Sequence, residues 1–204
     1  NFINRVLVLT HKYYDGKVPA IGVLKPFDKS VLNEITSMPQ KIGHAIEHYR
    51  FREASQILMQ LARLGNKYLA DTEPWKLIKT DPERVLTIIH TALQISAALS
   101  ILSEPILPFT SKKLSNMLQI DSENKNWDDV SNGSNLINAG HKIGKTFLLF
   151  EKIEDEQMEE QRMKLKVSIT ENKAKSLKIA PIKPITPYVD FESLDLKVAR
   201  IIAA

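Results

Sequence analysis

Between Asp81-Pro82 and Pro105 the chain carries a segment that is apolar on almost every side of a helix, and that segment dictates what the rest must do. Asp81 offers a carboxylate to free amides, and Pro82 loses nothing by lacking an N–H at the first helical position, so the pair starts a helix. From there Val85, Leu86, Ile88, Ile89, Ala92, Leu93, Ile95, Ala97, Ala98, Leu99, Ile101 and Leu102 leave a narrow polar strip at Thr87, His90 and Gln94. A helix of this kind has to be surrounded by others. At about 1.5 Å per residue it runs roughly 30 Å, the height of a small bundle.

The flanking sequence supplies the surroundings. Phe2, Val6, Leu9 and Tyr13 recur at helical spacing until Asp15-Gly16, a turn pair. After a loop from Gly16 to Pro26, Leu32 and Ile35 begin a second helix that Pro39 either kinks or restarts; Ile42, Ala45, Ile46 and Tyr49 continue its inward stripe. Ala54, Ile57, Leu58, Leu61, Gly65 and Tyr68 trace a third stripe over 51–69. Pro105 and Pro108 end the central helix, and 109–118 reads as a last helix with Leu114, Met117 and Leu118 inward. Residues 121–135 read as a surface loop pinned by Trp127, and Leu148-Leu149-Phe150 as a return to the core.

At 204 residues, with 43% hydrophobic residues and only 7 Gly, the chain can bury a helical core and is not of low complexity. It has no cysteine, which removes disulfides, thiolate zinc sites and thiol catalysis together and points to a cytosolic setting. No run of about 20 consecutive apolar residues occurs, and Asn1 to Arg5 lacks the regions of a signal peptide, so the expectation is a soluble, unexported protein. A start without Met and an end inside a strand-like pattern read as cuts in something longer. Residues 1–150 hold 18 Lys and Arg against 14 Asp and Glu, a net +4, while 151–204 hold 10 against 10. All net positive charge therefore lies on the helical part, a mild pull towards phosphate backbones.

Three parts follow: a helical domain over 1–150, a charged linker over 151–187 stiffened by Pro181, Pro184 and Pro187, and the start of another domain over 188–204. In the last part Leu194, Leu196 and Val198 alternate as in a strand, which cannot bury itself alone.

One aromatic stands out. Pro74 denies its neighbourhood a helical hydrogen bond and biases Glu73 away from helix, so Trp75 opens a new short element after the third helix. A flat indole at such a corner suits base stacking, and equally suits plugging a core. Other signals are weaker. His44-Ala45-Ile46-Glu47-His48 has zinc-hydrolase spacing, but it sits among core positions of an ordinary amphipathic helix, and no motif places a third ligand. Gly140 to Thr146 imitates a phosphate loop with one residue too few between its glycines and no strand leading in. Asn132-Gly133-Ser134 fits a glycosylation acceptor that an unexported chain would not use. Ser55 and Ser103 read as satisfying helix backbones, and no catalytic or metal residue is expected.

An ordered set of pieces resembles the anticodon-binding helical domain of methionyl-tRNA synthetases: Asn1-Phe2-Ile3-Asn4-Arg5 leading to Tyr14-Asp15-Gly16, Asn66-Lys67-Tyr68 leading to Pro74-Trp75, Asp81-Pro82-Glu83-Arg84, and Pro105-Ile106-Leu107-Pro108. The resemblance covers 1–150. Asp190 to Ile201 resembles the first strand of the tRNA-binding OB-fold domain appended to many of these enzymes. Leucyl, isoleucyl and valyl synthetases carry related bundles and are the nearest alternatives. A helical scaffold that binds protein partners is the rival from another class.

The resemblance implies an all-α, class I synthetase anticodon-binding bundle. It implies that Asn1, Arg5 and Trp75 read the CAU anticodon of tRNA(Met), above all its first cytosine. The residue chemistry is compatible: Asn and Arg at i, i+4 share one helix face, Asn offers a donor and an acceptor, Arg offers a donor fork, and an indole stacks on an unstacked base. Lys12, Lys67 and Lys76 are candidate backbone contacts. The resemblance further implies that a catalytic domain using ATP and Mg precedes Asn1, so this piece should catalyse nothing by itself, and that any homodimer forms only through the complete OB-fold domain.

Overall fold

The computed structural model describes residues 2–120, 126–133, 135–150, 153–174, 187–194 and 197, the side chains of 170–174 excepted. Its chain divides into two compact units, Asn1–Glu151 and Lys152–Ala204. Among the described residues there is no strand, only an isolated antiparallel bridge between Lys17 and Lys142.

The first unit is a bundle of five principal helices: α1 (Phe2–Tyr14), α2 (Pro26–Glu47), α3 (Phe51–Thr72), α5 (Pro82–Leu102) and α6 (Pro108–Leu118). Two short helices accompany them, α4 (Pro74–Leu77) between α3 and α5 and α7 (Trp127–Ser131) after α6. Proline opens α2, α4, α5 and α6, each time where its missing N–H has no helical acceptor to lose and its fixed φ suits the helix. At the start of α5 the Asp81 carboxylate accepts the Arg84 N–H at 3.0 Å, the cap expected from that pair.

Helix α5 is central. Every residue from Thr87 to Leu102 is buried, including Thr87, His90 and Gln94 of the polar strip. It is the one helix among the described residues long and apolar enough to cross a membrane by composition, yet its surface is covered by the bundle. The polar strip has an internal use. Pro19 C=O accepts from His90 Nδ1–H at 2.9 Å, Gly22 N–H donates to Thr87 Oγ1 at 3.1 Å, and Gln94 Oε1 accepts the Leu136 N–H at 2.9 Å while its Nε2 donates to Ile137 C=O at 2.7 Å. Those bonds hang the α1–α2 connection and the 135–137 segment on the central helix, and they satisfy groups that are costly to bury unpaired.

Several expectations are corrected. Helix α2 starts at Pro26, well before Leu32, and runs through Pro39 without restarting; Pro39 is buried against the core, so packing outweighs the lost backbone bond. Tyr49 does not continue the stripe: α2 stops at Glu47, and Tyr49 takes a left-handed conformation with φ 58° and stands 83% exposed. Only Leu149 of the 148–150 triplet packs on the core, while Leu148 and Phe150 are exposed. Trp127 does anchor its segment, but from the first turn of α7, with its ring against Gly43.

In the second unit α8 (Asp155–Ala174) occupies most of the charged stretch, its described side chains exposed, and α9 (Tyr188–Glu192) is a single turn or so of helix. The alternation expected at 194–198 falls largely on residues outside the described ones, as does the whole of 198–204.

Candidate nucleic-acid interface

The corner after α3 is built by backbone chemistry. Glu73 adopts φ 41°, ψ 56°, a left-handed conformation that ends α3, and its N–H donates to Leu69 C=O at 3.0 Å. Pro74 then opens α4 and is itself buried. With Pro74 held inside, Trp75 is turned outwards and is 40% exposed. The indole is not sealed in the core, and its ring is accessible. Lys76 beside it pairs with Glu73 at 2.8 Å.

Below that corner lies a buried polar junction. Asp28, in the first turn of α2, accepts from the backbone N–H of Lys25 at 2.8 Å, from Tyr68 Oη–H of α3 at 2.7 Å and from both guanidinium nitrogens of Arg84 of α5, Nη2 at 2.7 Å. Burial alone would push the Asp28 carboxyl up, but hydrogen bonds from Arg84, Tyr68 and Lys25, with the Arg84 charge, together hold it below the usual carboxylate range. Burial first, and then its bond to Asp28, pushes the Tyr68 phenol well above its ordinary value, so it stays a donor. The Asp28 bond raises Arg84 further. Thr72 Oγ1–H donates to Tyr68 C=O at 2.6 Å in the last turn before Glu73. The junction thus fastens the ends of three helices around the connection that carries Trp75. Sequence reading missed it: Asp28 two residues after Pro26 is legible as a first-turn acid, but nothing in the sequence says which distant cation answers it.

The other expected site residues are distributed as follows. Arg5 lies exposed on α1 and makes no hydrogen bond or ion pair among the described residues; Asn1 lies outside them. Lys12 is exposed, its Nζ 5.4 Å from the Tyr13 ring centroid, and Lys67 is exposed on α3. The first turn of α1 is located by Phe2, whose ring fills the space above Gly65 of α3: a Cβ on Gly65 would fall 2.6 Å from Phe2 Cε1. From Gly65 to the end of α3 at Thr72 is about 10 Å of helix, so one helix both receives the start of α1 and delivers Trp75. His44 and His48 lie with ring centroids 4.1 Å apart and their planes tilted by 42° at the end of α2, His48 Nδ1–H donating to His44 C=O, and no group of three possible metal ligands gathers among the described residues.

The first unit is an all-α bundle that offers an aromatic at the α3–α5 corner, and comparison with known proteins puts it in the class of synthetase anticodon-binding domains. The same fold occurs in the free-state methionyl-tRNA synthetase of Mycobacterium tuberculosis, with a TM-score of 0.70 and 19% identity over 76% of this chain and 31% of that one. The methionyl-adenylate complex of that enzyme gives a TM-score of 0.64. A family model described as the anticodon binding domain of methionyl tRNA ligase matches residues 18–169. The methionine–tRNA ligase of Christiangramia forsetii is 55% identical over 208 residues, covering 100% of this chain and 30% of the relative. That of Flavobacterium psychrophilum is 53% identical, again over 100% of this chain and 30% of the relative. The chain belongs to the family of methionyl-tRNA ligase anticodon-binding domains, and it spans about 30% of the length of the curated relatives it matches.

Proposed function

We propose that the bundle reads the CAU anticodon of tRNA(Met), with Trp75 as the stacking platform for a splayed anticodon base and Arg5 and Asn1 reading base edges, the first cytosine above all. The observation that carries this reading is the half-exposed indole of Trp75 on a corner fixed by buried Pro74 and left-handed Glu73. Single-stranded RNA is read by stacking unpaired bases on aromatic rings and hydrogen-bonding their edges. Arg5, exposed and without a partner among the described residues, keeps its donor fork available. Lys12 and Lys67 contact the backbone; Lys76 contributes less, because Glu73 already neutralises it.

The complete protein ligates methionine to tRNA with ATP and Mg, in the cytoplasm, through residues beyond this chain. This chain alone binds RNA without catalysing, over a domain of 1–150, a linker of 151–187 and the first part of an OB-fold in 188–204, and a homodimer requires that OB-fold complete. The test is titration of the chain with a CAU stem-loop and with otherwise identical hairpins carrying other anticodons. Tighter binding to CAU supports the reading. Equal binding to all hairpins, or none at any ionic strength, refutes it and favours the protein-binding scaffold.

A further inference from the structure

The α1–α2 connection and the segment after α7 meet in a way that places two lysines side by side. Asp15 and Gly16, with φ 52° and 70°, reverse the chain after α1. Val18 N–H then donates to His141 C=O at 2.8 Å, and Ile143 N–H to Gly16 C=O at 2.8 Å. The bonds flank Lys17 and Lys142 rather than joining them, which makes this bridge an antiparallel pair of the non-hydrogen-bonded kind, the one whose side chains approach more closely, with Cα atoms about 4.5 Å apart. Val18 and Ile143 are buried, so by the two-residue alternation Lys17 and Lys142 face the solvent, and both are exposed. Neighbouring imidazoles hold the segment in place: His11 Nε2–H donates to Gly144 C=O at 2.8 Å and His141 Nε2–H to Leu118 C=O at 2.7 Å.

Like charges directly opposite each other on paired strands oppose folding. Neither lysine has an ion pair among the described residues; Asp15, on the same turn, pairs with neither. Among the described residues no ion pair offsets the repulsion that this juxtaposition brings. An anion between the two ammonium groups is attracted by both and relieves it. We propose that Lys17 and Lys142 are a phosphate clamp for a nucleic-acid backbone, a second RNA contact separate from Trp75 and Arg5. Lysine ammoniums act on phosphates as point charges and carry no sequence information. The clamp therefore raises affinity for any RNA hairpin alike and leaves the choice of anticodon to the corner. Only the naming of the RNA rests on the anticodon reading.

The experiment titrates the chain with a CAU stem-loop and a hairpin of altered anticodon across a series of salt concentrations. Lys17→Ala/Lys142→Ala is expected to lower the slope of log affinity against log salt by about one for each lysine removed. Affinity for both hairpins should fall by the same factor, with the ratio between them unchanged. Lys17→Arg/Lys142→Arg keeps the slope, and circular dichroism of the alanine variant verifies its fold. An unchanged slope in the folded alanine variant overturns the clamp. If the parent chain shows no CAU preference but the slope still falls, the anticodon reading fails and the clamp stands.

Discussion

Arg84 of α5 grips Asp28 of α2 across 56 residues with both guanidinium nitrogens, in a site where the side chains are 7% and 0% exposed. Tyr68 of α3 completes the contact on the same carboxylate. The ends of α2, α3 and α5 are therefore joined by charge and hydrogen bonds as well as by apolar packing, the Phe27 ring centroid lying 5.4 Å from that of Tyr68. Such an ion pair gives little net stability over an apolar replacement, but breaking it leaves an uncompensated buried charge.

Asp28→Ala is accordingly expected to destabilise the bundle by about 3–5 kcal/mol, because Arg84 is left charged among buried groups. Asp28→Leu/Arg84→Met, which removes both charges, should cost markedly less. Urea unfolding followed by circular dichroism gives both values, and equal losses for the two variants would show that the pair matters only through packing.

The same carboxyl makes stability depend on acid. Its pKa is lowered in the folded state relative to the unfolded chain, so its contribution is fully present above the ordinary carboxylate range and declines as pH falls through that range towards the folded value. Between about pH 5 and pH 3 the parent chain should lose more stability than Asp28→Asn does. Parallel losses in the two proteins, measured as urea midpoints, would assign the acid sensitivity to other groups.

Gly65→Ala gives a test of sign. In an exposed helix interior, Gly to Ala gains about 1 kcal/mol. Here the new Cβ would meet the Phe2 ring at 2.6 Å, and Phe2 is itself buried. Net destabilisation is expected, of about 1–2 kcal/mol once overpacking is set against propensity, and Phe2→Leu in the same chain should recover part of it. A stabilised Gly65→Ala would mean that the first turn of α1 yields freely, and that α1 is not held in register by α3.

How much of this was legible follows from which forces act locally. The starts of α4 and α5 were readable at Pro74 and Asp81-Pro82, since proline and a capping carboxylate act within one turn. The burial of α5 was readable because almost no polar residue interrupts it. Tyr49 was misplaced because periodicity does not reveal where a helix stops, and α2 stops two residues earlier. Arg84, Leu136 and Lys142, which meet Asp28, Gln94 and Lys17, lie 56, 42 and 125 residues away from them. Such pairings depend on how helices dock, which no local pattern encodes. Trp75 was legible from its proline corner and took its reading role, with Arg5, from the resemblance; geometry adds that the indole is accessible and the arginine unpaired among the described residues.

Arg5→Ala separates base reading from charge. If its donor fork reads a base edge, the variant loses preference for cytosine over uracil at the first anticodon position, by about 1–3 kcal/mol of discrimination, and loses less in binding to other hairpins. Titration with CAU and UAU stem-loops measures both. Equal losses on the two RNAs would make Arg5 a phosphate contact only.

Trp75 is exposed enough to meet a base and is anchored by its neighbours rather than by its own burial: Pro74 is inside, and Glu73 has already turned the chain. Removing the indole should therefore leave the corner standing while removing the platform. Trp75→Ala is expected to weaken CAU stem-loop binding by about 1–3 kcal/mol, the range for one lost base–aromatic stack, with Trp75→Phe retaining part of it. Because stacking is an uncharged contact, the slope of affinity against salt should stay as in the parent chain, unlike the outcome expected for the Lys17 and Lys142 variants. Binding unchanged in Trp75→Ala would take the indole out of the interface; binding lost together with the helical circular dichroism signal would make it a strut of the corner instead.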